Sequence, residues 1–577
     1  MNQMDHVIVE VIRNYLLSAA REMNRNLMRT AYSTIIYEVK DFGVGIYDKQ
    51  CRLLAEAPGL AMFTRGNDYA LRKIVDHLGY ENICQGDIIL LNYPFWNAAH
   101  TLDVTAAAPI FFANEIVGFS AVKQHWEDLG QKDLGYCTDT TDVYQEGLII
   151  PCLKIHKSGE LNQDLVDIIR FNSRMPDKTV GDMNAQISSC ITGRKRVEEL
   201  IDKFGTKTYS QAIEHIIDHG ERIARARLSK LPKGTWTAED WVDDDCIDKD
   251  TLVKIKVTVT ISDDEMVVDF TGSDPQTTGP INVPFGMTMG LGALVFKAVT
   301  TPDTPANYGN FRPLKVIAPA GSLMHAVAPA PTFTMWPALL AVDVTTKALA
   351  QAGLDLVPAC SGGDIFSISG LGIHPSSGLL WHEGTNEGVG FGAHAEHDGE
   401  NSIMHPSEPG CRNLPIEVME TKAPMMIEFY ALRQDSGGPG INRGGLGSKR
   451  GIQYLVDSTA FTMMKKSKTK PWGMANGSDG ENGYAIYWPG TQKEEITGTN
   501  YQPVNAGDRV FNFSGGGGGW GDPFFRDPDR VLDDVRNDYV SALSAREEYG
   551  VVIDMQTMTV DADSTERLRQ QATESMR

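Results

Sequence analysis

Residues 5–33 place Val7, Val11, Tyr15 and Leu16 at helical spacing with charges between them, which predicts a long amphipathic helix. The period then changes to that of strands. Residues 42–47, 88–92, 104–111 and 116–121 predict β-structure, the last two as a hairpin broken at Ala113-Asn114-Glu115. Helices are predicted over 164–172 and 181–204. The second carries a polar stripe, Asn184, Gln186, Arg194, Lys195, Arg196 and Glu199, that reads as a solvated or interface face. From about 235 the texture changes: 253–261 and 265–270 alternate about a Ser262-Asp263-Asp264 turn. Proline and glycine punctuate 272–331, with helices at 287–300 and 335–351. Residues 361–412 lack periodicity and predict a long ordered loop region near a functional face. Segments 425–433 and 451–463 read as strands, and 527–550 as helical.

The fold class expected is α+β, with mixed β-sheets and packed helices in several domains. An N-terminal α+β region at 1–234 would carry a metal site, followed by a β-rich Gly/Pro-rich region at 235–525 and a helical segment at 526–577.

At 577 residues and 42% apolar content the chain can bury a sizeable core. Its net charge of -22 and its lack of long basic runs argue against nucleic acid and anionic membrane as partners. The start of the chain reads as no signal peptide and no window approaches eighteen apolar residues, so a cytoplasmic protein is expected. Eight cysteines without a Cys-x-x-Cys pair read as reduced core thiols.

The candidate chemistry lies between 92 and 125. His100 and Asp103 precede the hairpin and His125 follows it, and a hairpin returns the chain to its start. Two imidazoles and a carboxylate then face one point, a first shell suited to Zn, Mn or Fe(II). With thirteen histidines in the chain, a hydrogen-bonded polar cluster is an equal alternative on spacing alone. His394, His397 and Asp398 could also bind metal but lie beside glycines, and read as surface or interface residues. The five glycines 515–519 are followed by Trp520, where a phosphate loop needs a lysine and a hydroxyl residue, and read as backbone that approaches another strand of chain closely.

Ordered blocks along nearly the whole chain resemble the hydantoinase B (HyuB) family, which spans hydantoinase, 5-oxoprolinase and caprolactamase subunits and is related to acetone and acetophenone carboxylases. They include Asp41-Phe42, Gln145-Glu146-Gly147-Leu148, Gly181-Asp182, Asp269-Phe270-Thr271-Gly272, Asp435-Ser436-Gly437-Gly438 and Arg443-Gly444-Gly445-Leu446-Gly447. The resemblance implies a metal site at Asp41, His100, Asp103 and His125, with Zn as first choice and Mn or Fe as others. Two departures stand out. The family's Asn-Asp-Pro-Tyr and Gly-Gly-Thr-His stretch is here Asn92-Tyr93-Pro94-Phe95-Trp96-Asn97-Ala98-Ala99-His100, and the second residue of its His-His pair is Trp126. Tyr93, Phe95, Trp96 and Trp126 are therefore expected to make a bulky apolar pocket wall.

The implied function is the metal-containing B subunit of an ATP-dependent hydrolase of cyclic amides. ATP would be bound by an A-type (HyuA-like) partner in an (αβ)2 assembly. Glu146 and Asp128 are candidate proton-transfer groups, with an ion-pairing role the alternative for each. A subunit of an ATP-dependent ketone carboxylase is the second reading. A scaffold whose His/Asp cluster only staples the fold is the third.

Overall fold

The computed structural model describes residues 5–353, 357–363 and 366–575. They are α+β, with helices packed on antiparallel and mixed sheets, and they fall into two compact units. The first contains the described residues up to 240, with 244–348 and 407–412; the second contains 241–243 and the described residues of 349–406 and 413–577.

The first unit is built on a seven-stranded sheet. Its strands are β1 (Phe42–Asp48), β2 (Leu53–Glu56), β3 (Ile88–Leu91), β4 (Asp103–Phe112), β5 (Glu115–His125), β6 (Leu153–Lys157) and β7 (Glu160–Leu161), in the order β2-β1-β5-β4-β3-β6-β7. The β4–β5 hairpin turns through Ala113 (φ 48°) and Asn114 (φ 67°), both left-handed as a tight two-residue hairpin requires. It is longer than the sequence pattern indicates. Asp103 pairs directly with His125 and Val104 with Gln124, so the strands run to the candidate ligands themselves.

The long helices His6–Thr30 and Pro176–Phe204 join this sheet in one apolar core. Leu16, Ala20, Met23 and Leu27 belong to the same buried cluster as Met183, Cys190 and Val197 and the strand residues Val44, Val104, Ala106 and Val122. Two further helices, Ala61–Leu78 and Thr206–Leu228, lie in segments where the sequence pattern predicted none.

Gln186 corrects the solvated-stripe expectation. Asn184, Lys195 and Glu199 do face water, but Gln186 is fully buried. Its amide donates to the main-chain carbonyls of Val104 (2.6 Å) and Val122 (2.8 Å), and its oxygen accepts the Trp126 indole N–H at 3.0 Å. Asp182, one turn earlier, accepts from the Tyr32 and Ser33 main-chain N–H groups at 2.6 and 3.2 Å. One helix face therefore fixes both the β4–β5 pair and the loop leading to Asp41.

A four-stranded sheet contains β8 (Gly234–Val242), β9 (Val253–Ile261), β10 (Met266–Asp269) and β11 (Leu314–Ile317), with the expected β9–β10 hairpin. The helices Phe285–Thr300 and Trp336–Ala350 lie close to their predicted positions.

The second unit holds β12 (Ser367–Ile373), β13 (Leu380–Gly384), β14 (Met425–Leu432), β15 (Ser448–Tyr454), β16 (Ser458–Met463), β17 (Tyr484–Tyr487), β18 (Glu495–Thr497), β19 (Asn500–Val504) and β20 (Arg509–Phe513) in two sheets. Part of the expected 361–412 loop is thus the β12–β13 hairpin. The single strand expected over 451–463 is two strands broken after Tyr454. Helices Pro528–Arg536 and Ala542–Glu547 divide the expected terminal helical segment.

Removing the Gln186 amide by Gln186→Leu strands the Trp126 N–H without a partner. It is expected to lower the free energy of opening of β4 and β5, read by amide hydrogen exchange, by about 3 kcal/mol. Unchanged protection there would contradict this role.

Candidate functional site

Strand register puts Asp103 and His125 side by side, and the short loop after helix Pro94–Asn97 brings His100 over them. Asn97 holds both ends of that loop. Its amide donates to the Asp103 main-chain oxygen, and its own oxygen accepts from Thr105 Oγ1 at 2.7 Å. Leu102 N–H donates to His100 Nδ1 at 3.2 Å, which turns Nε2 toward Asp103.

The ligand atoms of His100, Asp103 and His125 lie within 4.8 Å of one another, and all three residues are buried. His100 Nε2 is 3.5 Å from Asp103 Oδ2, and His125 Nδ1 is 3.3 Å from Asp103 Oδ1. Asp41 enters from the start of β1, with Oδ2 4.0 Å from His125 Nδ1, while its main-chain oxygen accepts the His125 N–H at 3.2 Å. The sequence-expected residues Asp41, His100, Asp103 and His125 are therefore together.

Burial shapes their charge. It pulls the His100 pKa down to about 4, so its imidazole is neutral and able to donate a lone pair at neutral pH. It would also raise Asp103, but the neighbouring imidazoles and Lys123 hold that carboxyl below its ordinary range. Burial would lower His125, yet Asp103 and Asp41 outweigh it and raise the imidazole. Asp41 is pushed up to about 7 by burial, against the pull of His125. Lys123, fully buried with its ammonium on the Asn97 carbonyl, is brought down to about 7 by burial.

The donor set fits a divalent ion. Both oxygens of Asp103, Asp41 Oδ1 and His125 Nδ1 are buried with no hydrogen-bond geometry satisfied, which is costly unless something else takes their lone pairs. Two imidazoles and carboxylates suit Zn, Mn or Fe(II).

The aromatic rings against the histidines are not the expected ones. Phe333 stacks on His100 (5.2 Å, 16°), Tyr136 stacks on His125 (6.1 Å, 25°), and the two meet edge to face at 5.7 Å. Neither residue follows from spacing: Tyr136 lies in an irregular segment and Phe333 in the Pro/Gly-punctuated stretch. Tyr93, Phe95 and Trp96 instead cluster with one another around helix Pro94–Asn97. Trp126 is turned into the core toward Gln186 and does not form a pocket wall.

Glu146 is fully buried behind Phe333, where its carboxyl group accepts from Thr140, Thr332 and Phe333. Burial pushes it up to about 8. Asp128 is held by the Arg174 guanidinium at 2.6 Å, an ion pair rather than a group facing the histidines. In the second unit His394 and His397 stack on each other, and Asp398 is bound to Arg526 and Arg530, at 2.6 and 2.9 Å. Seven cysteines are buried as expected, but Cys84 is exposed.

The glycine run is consumed internally. Gly516, Gly517, Gly518 and Gly519 donate their N–H groups to the carbonyls of Glu481, Gly445, Cys360 and Ser478. A Cβ on Gly516 would sit 1.8 Å from the Ser436 oxygen, so close backbone approach is what requires glycine there.

Among known proteins, the family described as hydantoinase B/oxoprolinase matches residues 5–523. The chain is 30% identical to caprolactamase subunit beta of Pseudomonas jessenii, over 96% of this chain and 97% of that one. The crystal structure of ATP-dependent caprolactamase from Pseudomonas jessenii superposes with a TM-score of 0.92 at 28% identity, covering 99% of this chain and 100% of that one. A nucleotide-free acetone carboxylase structure gives 0.90 at 20% identity, over 99% of this chain and 83% of the other, and shares the fold.

Because a metal ligand must be deprotonated, the pKa of about 7 at Asp41 and the raised His125 set the sign of pH dependence. Affinity for Zn(II) or Mn(II), measured against a competing chelator, is expected to rise as pH increases through about 7. Asp41→Asn is expected to bind more weakly and to flatten that rise. Equal affinity on both sides of this pH in the unsubstituted chain would contradict the assignment.

Proposed function

The chain belongs to the hydantoinase B/oxoprolinase family, and on that premise we propose that it is the metal-holding subunit of an ATP-dependent hydrolase of cyclic amides. The observation that carries this reading is the buried group of His100, Asp103 and His125, in which both Asp103 oxygens and His125 Nδ1 make no hydrogen bond. His100, Asp103 and His125, with Asp41, would hold a divalent ion, Zn first and Mn or Fe(II) as the alternatives. When bound, such an ion supplies Lewis acidity to the reaction.

The residues around it prepare the site. Neutral His100 and ionised Asp103 are ready ligands without prior proton loss. Phe333 and Tyr136 cover the faces of both imidazoles and keep water from them, which strengthens every electrostatic interaction inside. An apolar ring in the substrate suits these walls.

An unstrained amide is a poor electrophile, and coupling its opening to ATP makes the step favourable. That the similar caprolactamase is ATP-dependent and its similar chain is named a beta subunit supports nucleotide binding by a separate A-type subunit. A soluble (αβ)2 assembly in the cytoplasm is part of the same proposal, and no described helix is long and apolar enough to cross a membrane.

The test is to co-express the chain with its A-type neighbour and supply ATP, labelled bicarbonate and a panel of lactams, hydantoins and ketones. A product heavier by one water and free of label is expected. Label retained in a stable acid would replace the proposal with the ketone carboxylase reading. Removing the metal with a chelator is expected to abolish turnover, and adding it back to restore turnover. Full turnover by a demonstrably metal-free complex would leave only a stapling role for the cluster.

A further inference from the structure

Glu146 is fully buried, and its hydrogen bonds run to the backbone that carries Phe333. Oε1 accepts the main-chain N–H groups of Thr332 (2.8 Å) and Phe333 (2.9 Å) and the Thr140 hydroxyl (3.1 Å). Oε2 takes the Thr332 hydroxyl at 3.2 Å. On its main-chain side, the Glu146 carbonyl accepts from Thr101 Oγ1 at 2.5 Å, and Thr101 is the residue after His100. A second tie runs from Val143 N–H to the Pro329 carbonyl at 2.9 Å, so the short turn Val143–Glu146 grips the same segment twice.

We propose that Glu146 is a positioning residue: its carboxyl group fixes the 332–333 backbone so that the Phe333 ring lies flat on His100. The 16° angle between those rings needs Phe333 held from behind, because a ring on a loose loop would turn edge-on or leave. Through Thr101 the same residue holds the other partner, so both rings of the stack refer to one buried group. Its two Oε1 backbone contacts need an acceptor, not a charge. An amide oxygen serves equally, and its NH2 would face the Thr332 hydroxyl.

This rests on the proposed function and is tested with two variants in the full chain assembled with its ATP-binding partner. E146Q is expected to keep kcat close to that of the parent protein, whereas E146A is expected to lower it by about 10²-fold through misplacement. A proton-transfer role predicts instead that E146Q is as inactive as E146A. The second readout needs neither metal nor turnover. With histidine labelled at the ring carbon, the His100 NMR resonance, identified by its loss in His100→Gln, is expected to move in E146A to where Phe333→Leu places it. In E146Q it is expected to stay. An inactive E146Q with an unmoved His100 resonance overturns the proposal, and does so even if E146A fails to fold. A chain that binds no divalent ion would defeat the functional reading while leaving the resonance result to stand or fall alone.

Discussion

The register of the β4–β5 hairpin governs the candidate site, because a strand slipped by one residue turns every side chain to the opposite face. In the observed register Asp103 faces His125, while Val104 and Val122 enter the core that the long helices cover. The two-residue turn at Ala113-Asn114 sets that register from one end, and Gln186 ties both strands at the other. The candidate metal site and the core packing are thus two consequences of a single pairing, read from opposite faces of the same strands.

The constraint concentrates polar groups where water is scarce. His100, Asp103, Lys123 and His125 are all buried on two paired strands and the loop before them, and a buried charge is tolerated only where it is paired or ligated. Asn97 meets part of this need through the Asp103 carbonyl, Thr105 and the Lys123 ammonium. The lone pairs still unmatched converge on one point, as the proposed metal site requires.

Much of this was legible in the chain because it is local. Alternation in β4 and β5 and the Ala113-Asn114 turn are enough to bring His100, Asp103 and His125 together, and the blocks shared with the hydantoinase B family add Asp41. What was not legible depends on partners far along the chain. Gln186 sits on a polar stripe by spacing, and only the indole of Trp126 and two strand carbonyls explain why it points inward. Phe333 lies more than two hundred residues from His100 in a segment without periodicity, so no spacing argument could pair them. The β12–β13 hairpin escaped because its glycines and serines, Ser367, Ser369, Gly370 and Gly372, erase the apolar alternation on which strand reading relies.

The central claim is that two imidazoles and carboxylate oxygens of this chain close around one divalent ion. X-ray absorption at the metal edge of the Zn-loaded full chain tests it most directly. The account predicts a first shell of nitrogen and oxygen at about 2.0–2.1 Å, with the outer-shell scattering of two imidazole rings that falls to one ring in His125→Ala. A shell containing sulfur, or one of oxygen alone without imidazole scattering, would contradict it.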